Sequence, residues 1–194
     1  RIRPRRVSTP RFPDPWPSRQ PSWPPAPWIM SGTVLTAWFD LPREQIENLI
    51  SPSLVPPSGQ LGPSRLRFYE LDYRPANPDL SAAATGRFRE AVVGLPATYG
   101  SSTGDISAHM WSDSDTYMHW GRDVFGWPVL RAPVELEGEI WAGEIGPTST
   151  GTATLELSDG SRAAISVDRV EEDLPPPTPA AWITPRLISS PLEE

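Results

Sequence analysis

Alternating apolar and polar positions run through the middle of the chain and predict β-strands. In residues 86–95, GRFREAVVGL, a period of two places Phe88, Glu90 and Val92 on one face and the two arginines on the other. Glu90 therefore shares its face with apolar side chains. If that face is the core, the pKa of this carboxyl group rises unless a cation pairs with it.

The same pattern predicts strands in other parts of the chain. In residues 65–75 it places Leu66 and Phe68 on one face, with Glu70 as a third candidate. The remaining predicted strands are residues 27–41, 107–113, 129–138 and 139–146, and a hairpin of 151–157 with 162–170, turned at Asp159-Gly160.

Two short helices complete the predicted elements. Residues 41–51 have Pro42 near their start and apolar residues at helical spacing. These apolar residues are Ile46, Leu49 and Ile50. A second helix follows the turn at 113–115, whose Asp and Ser side chains supply N-caps, and it runs through Tyr117, Trp120 and Val124. Many short strands with only two helices predict a mostly β fold, either an antiparallel β-barrel or a closed sandwich.

Charge and proline content divide the chain into two regions. Residues 1–27 carry a charge of +5 and nine of the 26 prolines, whereas the remainder carries −12. We therefore expect an extended basic arm at 1–27 and a single domain at 28–194. A disordered linker is the alternative for such composition. The arm's aromatic residues would dock it on the acidic body or on a neighbouring subunit of a homo-oligomer.

Composition also excludes several classes of function. The net charge of −7 argues against a nucleic-acid partner, and no apolar run reaches the ~20 residues of a membrane span. The absence of cysteine excludes disulfide scaffolds and Cys-based zinc sites, and suits a cytoplasmic protein. Two histidines at no fixed spacing make a poor metal site. We find no phosphate loop or dinucleotide fingerprint, so no cofactor is expected.

All 17 basic residues are arginine, and the sequence contains no lysine. Only a lysine side chain offers a primary amine for a Schiff base, because arginine stays protonated.

Three segments, residues 26–56, 86–100 and 121–130, resemble the acetoacetate decarboxylase-like family in order and separation. The third is the most specific, since the family pattern is Gly-Arg-Glu, a short stretch, Gly, an aromatic residue, Pro and then Lys. The matching residues are Gly121, Arg122, Gly126, Trp127 and Pro128, with Asp123 in place of Glu. The resemblance covers roughly residues 27–140 and puts Val129 where the family has its Schiff-base lysine.

This resemblance implies a β-rich cavity in which Val129 forms an apolar wall. It matches Glu90 to a glutamate near the lysine, which suggests a general acid or base, and it makes Arg122 a candidate to hold a carboxylate or enolate oxygen. The alternative for both residues is a structural ion pair. The family continues with further strands, so this chain either ends early or closes its fold with the arm or a second chain.

Further substrate-binding candidates flank these two catalytic candidates. They are His109, His119, Trp120, Trp127, Val129 and Leu130. A structural role in the core or on the surface is the alternative for each histidine and tryptophan.

The sequence therefore predicts an enzyme of secondary, polyketide-like or antibiotic metabolism that does not form a Schiff base. It would catalyse cyclisation, dehydration or isomerisation of an apolar small molecule as a cyclase, lyase or isomerase. The alternatives are a non-catalytic binding protein and an inactive partner subunit of the same fold.

Overall fold

The computed structural model describes residues 28–57, 61–76, 85–122, 126–142 and 148–167. The predicted arm at 1–27 lies outside the described residues, and so do Val124 and the chain after residue 167. Within the described ranges, no helix has both the length and the apolar character that crossing a bilayer requires.

Within the described residues, eight strands form two sheets. The first sheet contains β1 (Trp28–Phe39), β2 (Ser64–Pro75), β3 (Gly86–Tyr99), β4 (Ser102–Ser112) and β5 (Val129–Arg131), and the second contains β6 (Val134–Glu137), β7 (Gly151–Glu156) and β8 (Arg162–Val167). Each strand of a sheet is bonded to the next in chain order. All pairs are antiparallel except β4 with β5, which is parallel.

The mostly β prediction is confirmed, but the sheets formed by the described strands are not closed into a barrel. The predicted hairpin is present as β7 and β8, with Gly160 at φ 82° in its turn, a left-handed conformation that favours glycine. The prediction of a strand at 139–146 is wrong over Glu139–Ala142, which form a 3-10 helix. Ile140 and Trp141 are adjacent yet both buried, which a strand with one covered face does not allow.

Both predicted helices form. Helix α1 (Arg43–Leu49) buries Ile46 completely and is followed by buried Ile50, whereas Leu49 is 44% exposed. Helix α2 (Asp115–Trp120) begins after its N-cap, Ser114, whose side chain accepts a hydrogen bond from the backbone N–H of Tyr117. A short 3-10 helix (Pro52–Leu54) follows α1.

The two faces of the first sheet have different neighbours. We call the face that bears Phe68 and Ala91 the inner face, because it packs against the second sheet and against Trp141. At the far end of β3 the same face bears Leu95, which packs against Ile46 of α1. Burial of these side chains joins the second sheet and α1 to the central strands.

We call the opposite face the site face. It bears Tyr69 on β2, Glu90 and Val92 on β3, and Met110 on β4, which lie beside one another in the strand register. An apolar cluster covers one end of this face. Its buried members are Phe88, Val92, Met110, Tyr117 and Val129. Helix α2 therefore docks on the site face through Tyr117.

The contrast within α1 gives a test of the core. Replacing Ile46 with Ala should lower the free energy of unfolding by about 2–5 kcal/mol, because the deletion leaves a cavity between α1 and β3. Leu49→Ala in the same helix should change it by no more than about 0.5–1 kcal/mol. Urea unfolding of both variants measures the difference, and equal losses would contradict this packing.

Candidate active site

Glu90 lies in the middle of the site face. It pairs with Tyr69 of β2 on one side and with Ser112 of β4 on the other, and only 6% of it is exposed. Its neighbours along β3 on the same face are Phe88 and Val92, as the alternating sequence predicts. The alternation along β3 thus places the carboxyl group on the same face as the apolar cluster.

Tyr117 is the hydrogen-bond partner of this carboxyl group. The Tyr117 hydroxyl donates to the Glu90 side chain, while its ring stacks on Phe88 with centroids 4.0 Å apart and an interplanar angle of 11°. The Ser114 N-cap fixes the backbone of Tyr117, with the N–H 3.2 Å from Oγ. Glu90 Oε2 has no hydrogen-bond partner among the described residues. One carboxyl oxygen is therefore buried without a hydrogen bond among these residues.

Burial dominates the protonation of this site. It raises the pKa of Glu90 from 4.5 to about 7, against a smaller lowering by the Tyr117 hydrogen bond. Burial, together with the adjacent Glu90, also raises the pKa of Tyr117 well above its ordinary value. Near neutral pH, the protonated and ionised forms of Glu90 are therefore similar in free energy, while Tyr117 stays protonated.

The arginines of β3 do not neutralise Glu90, because they point to the inner face. Arg87 forms a bidentate pair with Asp72, at 2.8 and 3.0 Å, and Arg89 bonds Glu70 at 3.1 Å. Across the described ranges, no salt bridge reaches Glu90. The alternative of a glutamate ion-paired to a neighbouring arginine is not what this geometry shows.

Residues 121–122 and 126–130, the described parts of this segment, make a close turn contact that places Val129 on the site face. Gly126 has φ 68°, and the Trp127 N–H donates to the Gly121 carbonyl oxygen at 2.9 Å. A Cβ on Gly121 would lie 2.9 Å from Val129 Cγ2, so glycine permits this close approach. Val129 is completely buried and pairs with Met110. An apolar wall therefore occupies the position that the resemblance assigns to lysine.

The structure separates the predicted site residues into those near Glu90 and those elsewhere. Val129 is in the same cluster, and Trp127 packs against it, with its ring centroid 6.3 Å from that of Tyr117. Arg122 is exposed and donates from Nε to the Val129 carbonyl oxygen at 2.5 Å, which braces the turn. No described contact joins Arg122 to Glu90, and its catalytic role stays a prediction.

The other candidates do not converge on Glu90. His109 is exposed on the inner face and stacks on Trp111, with ring centroids 5.5 Å apart. Leu130 pairs with Trp111 and is 50% exposed. His119 is exposed on α2, and the side chain of Trp120 lies outside the described residues.

Sequence reasoning missed four polar residues of the site face and gave Tyr117 only an apolar role. The four are Arg65, Arg67, Tyr69 and Asp105. Strand alternation could have placed Tyr69 opposite Glu90, given the pairing of β2 with β3. Asp105 carried no signal, because the sequence does not show which strand faces it. The described residues contain no group of three or more side chains suited to a metal ion.

Comparison with known proteins identifies the family. The chain matches the family described as acetoacetate decarboxylase (ADC) over residues 8–176, and it therefore belongs to that family. A search of curated protein sequences finds no significant match.

Solved structures share the fold. The enduracididine biosynthesis enzyme MppR with bound HEPES aligns with a TM-score of 0.65 and 20% identity over 88% of this chain and 68% of that one. MppR bound to the condensation product of pyruvate and imidazole 4-carboxaldehyde aligns with a TM-score of 0.63 and 21% identity, over 80% of this chain and 61% of that one. An acetoacetate decarboxylase-like enzyme from Sphingomonas wittichii RW1 aligns with a TM-score of 0.58 and 15% identity, over 75% of this chain and 58% of that one. The chain thus spans roughly three-fifths to two-thirds of the length of these relatives.

The raised pKa of Glu90 predicts a pH-dependent stability. Because the pKa of Glu90 is about 7 in the folded protein and 4.5 for an ordinary glutamate, the folded state loses stability as pH rises from 4.5 through 7. Glu90→Gln lacks this loss, so its free energy of unfolding relative to wild type should rise across this window by about 3 kcal/mol. Urea unfolding at pH 5 and pH 8 measures the gain. The exposed Glu135→Gln serves as control, and a pH-independent difference for Glu90→Gln would contradict the burial.

Proposed function

We propose that this protein is an enzyme that moves a proton on an apolar carbonyl compound, with Glu90 as the acid–base group and without a covalent intermediate. One observation carries the proposal: Glu90 is buried among apolar side chains, held by Tyr117, with Oε2 unbonded among the described residues. Such a carboxyl group is tuned to accept and return a proton near neutral pH.

The step follows from this arrangement. Ionised Glu90 takes a proton from the carbon beside the carbonyl through Oε2. The C–H bond pair forms the enolate double bond, and the carbonyl π pair moves to oxygen. Tyr117 keeps the other part of the carboxyl group in place. Where the enolate is conjugated with a second double bond, return of the proton to the far carbon of that bond gives isomerisation. Attack of the enolate carbon on a second carbonyl of the same molecule gives cyclisation, and the alkoxide formed there takes the proton back from Glu90.

Imine chemistry is not open to these residues. The sequence contains no lysine, and Val129 fills the position that the resemblance assigns to it with an apolar, fully buried side chain. The walls around Glu90 are aromatic and aliphatic, which favours a largely apolar substrate. Binding such a substrate in a reactive conformation contributes to the rate without any covalent step.

The comparison with MppR supports the biosynthetic part of the proposal. That enzyme belongs to enduracididine biosynthesis and has been solved with pyruvate and with a condensation product of pyruvate. Carbonyl compounds therefore occupy a protein of this fold. For the present chain we propose that the substrate is a polyketide-like carbonyl intermediate of secondary metabolism. The protein would act on it as a cyclase, lyase or isomerase.

A non-catalytic binding protein is the second candidate function. It is favoured by the dense packing around Glu90, where Phe88 and Tyr117 stack at 4.0 Å and Val129 is fully buried. In that case the carboxyl group would only hydrogen-bond a ligand oxygen. Turnover distinguishes the two functions.

Deuterium exchange provides the test. The full chain in D₂O should speed exchange at the carbons beside the carbonyl of 2-decanone, measured by ¹H NMR. Glu90→Gln should lower the rate by about 10²- to 10⁴-fold, as expected for loss of a general base. The wild-type rate should rise with pH through about 7, because the ionised form of Glu90 is the active one.

Tyr117→Phe separates positioning from bulk structure. Loss of its hydrogen bond removes a contribution that lowers the pKa of Glu90, so the pH profile should move to higher pH. Glu135→Gln, exposed on the second sheet, should leave the rate unchanged. Tight binding of the ketone with no exchange in wild type would defeat the enzyme proposal and support the binding protein.

A further inference from the structure

The β1 half of the site face is open to solvent and apolar. Met30, Val34 and Trp38 of β1 lie at every fourth position on this face, opposite Tyr73, Tyr69 and Arg65 of β2. These three β1 side chains are 40%, 51% and 48% exposed. An accessible apolar stripe thus runs alongside the row of β2 that contacts Glu90, where a ligand has surface to cover.

A cationic cluster lies at one end of this stripe. The guanidinium groups of Arg65 and Arg67 both bind Oδ2 of Asp105, that of Arg67 at 2.7 Å. The Asp105 side chain is 5% exposed, whereas those of Arg65 and Arg67 remain 21% and 12% exposed. Two cations share one carboxylate, so the cluster has one positive charge in excess and is reachable from solvent.

Tyr69 connects this cluster to Glu90. Its hydroxyl accepts a hydrogen bond from Arg67, and it is the register partner of Glu90. Arg67 pairs with Val92, so Arg67 and Glu90 are diagonal neighbours on adjacent strands. Diagonal residues of this kind lie about 7–8 Å apart. A single small molecule can therefore contact both the cluster and Glu90.

We propose that Arg65, Arg67 and Asp105 form an anchoring subsite for a substrate carboxylate that takes no part in the reaction. The carboxylate would bind the excess cationic charge in the way that Asp105 already does, by charge-assisted hydrogen bonds. The apolar body would lie on Val34 and its stripe, which places a carbonyl several bonds from the carboxylate beside Glu90. The subsite rests on the proposed function only for the proton transfer by Glu90. It commits the substrate to an apolar keto acid of medium length.

Charge variants of opposite sign test the subsite. Isothermal titration calorimetry at pH 8 compares octanoate with 1-octanol as probes on the full chain. Wild type should bind octanoate more tightly. Arg67→Gln should lower the affinity for octanoate about tenfold, because a charged hydrogen-bond donor is lost. Asp105→Asn should raise this affinity about tenfold, because both arginines are released. Octanol binding should not follow either change.

Control variants separate binding from folding. Arg74→Gln changes an exposed arginine of the same strand on the inner face and should leave both affinities unaltered. Thermal unfolding of each variant checks its fold, and Arg65→Gln replaces Arg67→Gln if that variant does not fold. Equal affinity of wild type for the two probes overturns the subsite, and so does an octanoate preference that neither Arg67 nor Asp105 alters.

Glu90→Gln distinguishes failure of the subsite from failure of the proposed function. This variant should keep the preference for octanoate while losing deuterium exchange. A charge-dependent octanoate preference in a wild type without exchange would retain the subsite and refute the enzyme. Exchange that depends on Glu90, without any preference for octanoate, would retain the enzyme and refute the subsite.

Discussion

The site face depends on the hydrogen bond that ties Tyr117 to Glu90. Tyr117 docks α2 on the sheet through its stacking on Phe88, and the same docking desolvates the carboxyl group that its hydroxyl binds. The side chain that packs the helix on the sheet is therefore also the one that hydrogen-bonds the carboxyl group. A carboxyl group kept dry is costly when ionised, and that cost is what moves its pKa toward neutrality. The folded state therefore loses stability when Glu90 ionises.

The turn that carries Val129 shows how a family fold can retain its shape while its chemistry changes. Gly121 and Gly126 have backbone reasons to be glycine that hold whatever follows Pro128, since one permits close approach and the other has positive φ. Arg122 braces the same turn through the Val129 carbonyl oxygen. The described residues that match the family pattern thus keep their backbone contacts. The next side chain, Val129, is apolar and completely buried.

The parts of this protein that local pattern determines were predictable, and those that pairing determines were not. A period of two places Glu90 on a buried face without knowledge of its neighbours, and the Asp159-Gly160 turn defines its hairpin. The Tyr117 bond joins a helix to a strand, and the parallel pairing of β5 with β4 is not visible in alternation. Leu49 shares the helical spacing of Ile46 and Ile50 yet is exposed, because that spacing marks a stripe broader than the one that α1 buries.

Asp105 accounts for why Glu90 remains free to titrate near two arginines. An arginine close to a carboxyl group lowers its pKa, and Arg67 is a diagonal neighbour of Glu90. Asp105 engages both guanidinium groups, and Tyr69 takes a further bond from Arg67, so the cationic charge is directed away from Glu90. The pKa of Glu90 is accordingly set by burial and Tyr117. The arginine cluster around Asp105 and a carboxyl group with a raised pKa therefore lie close together on the site face.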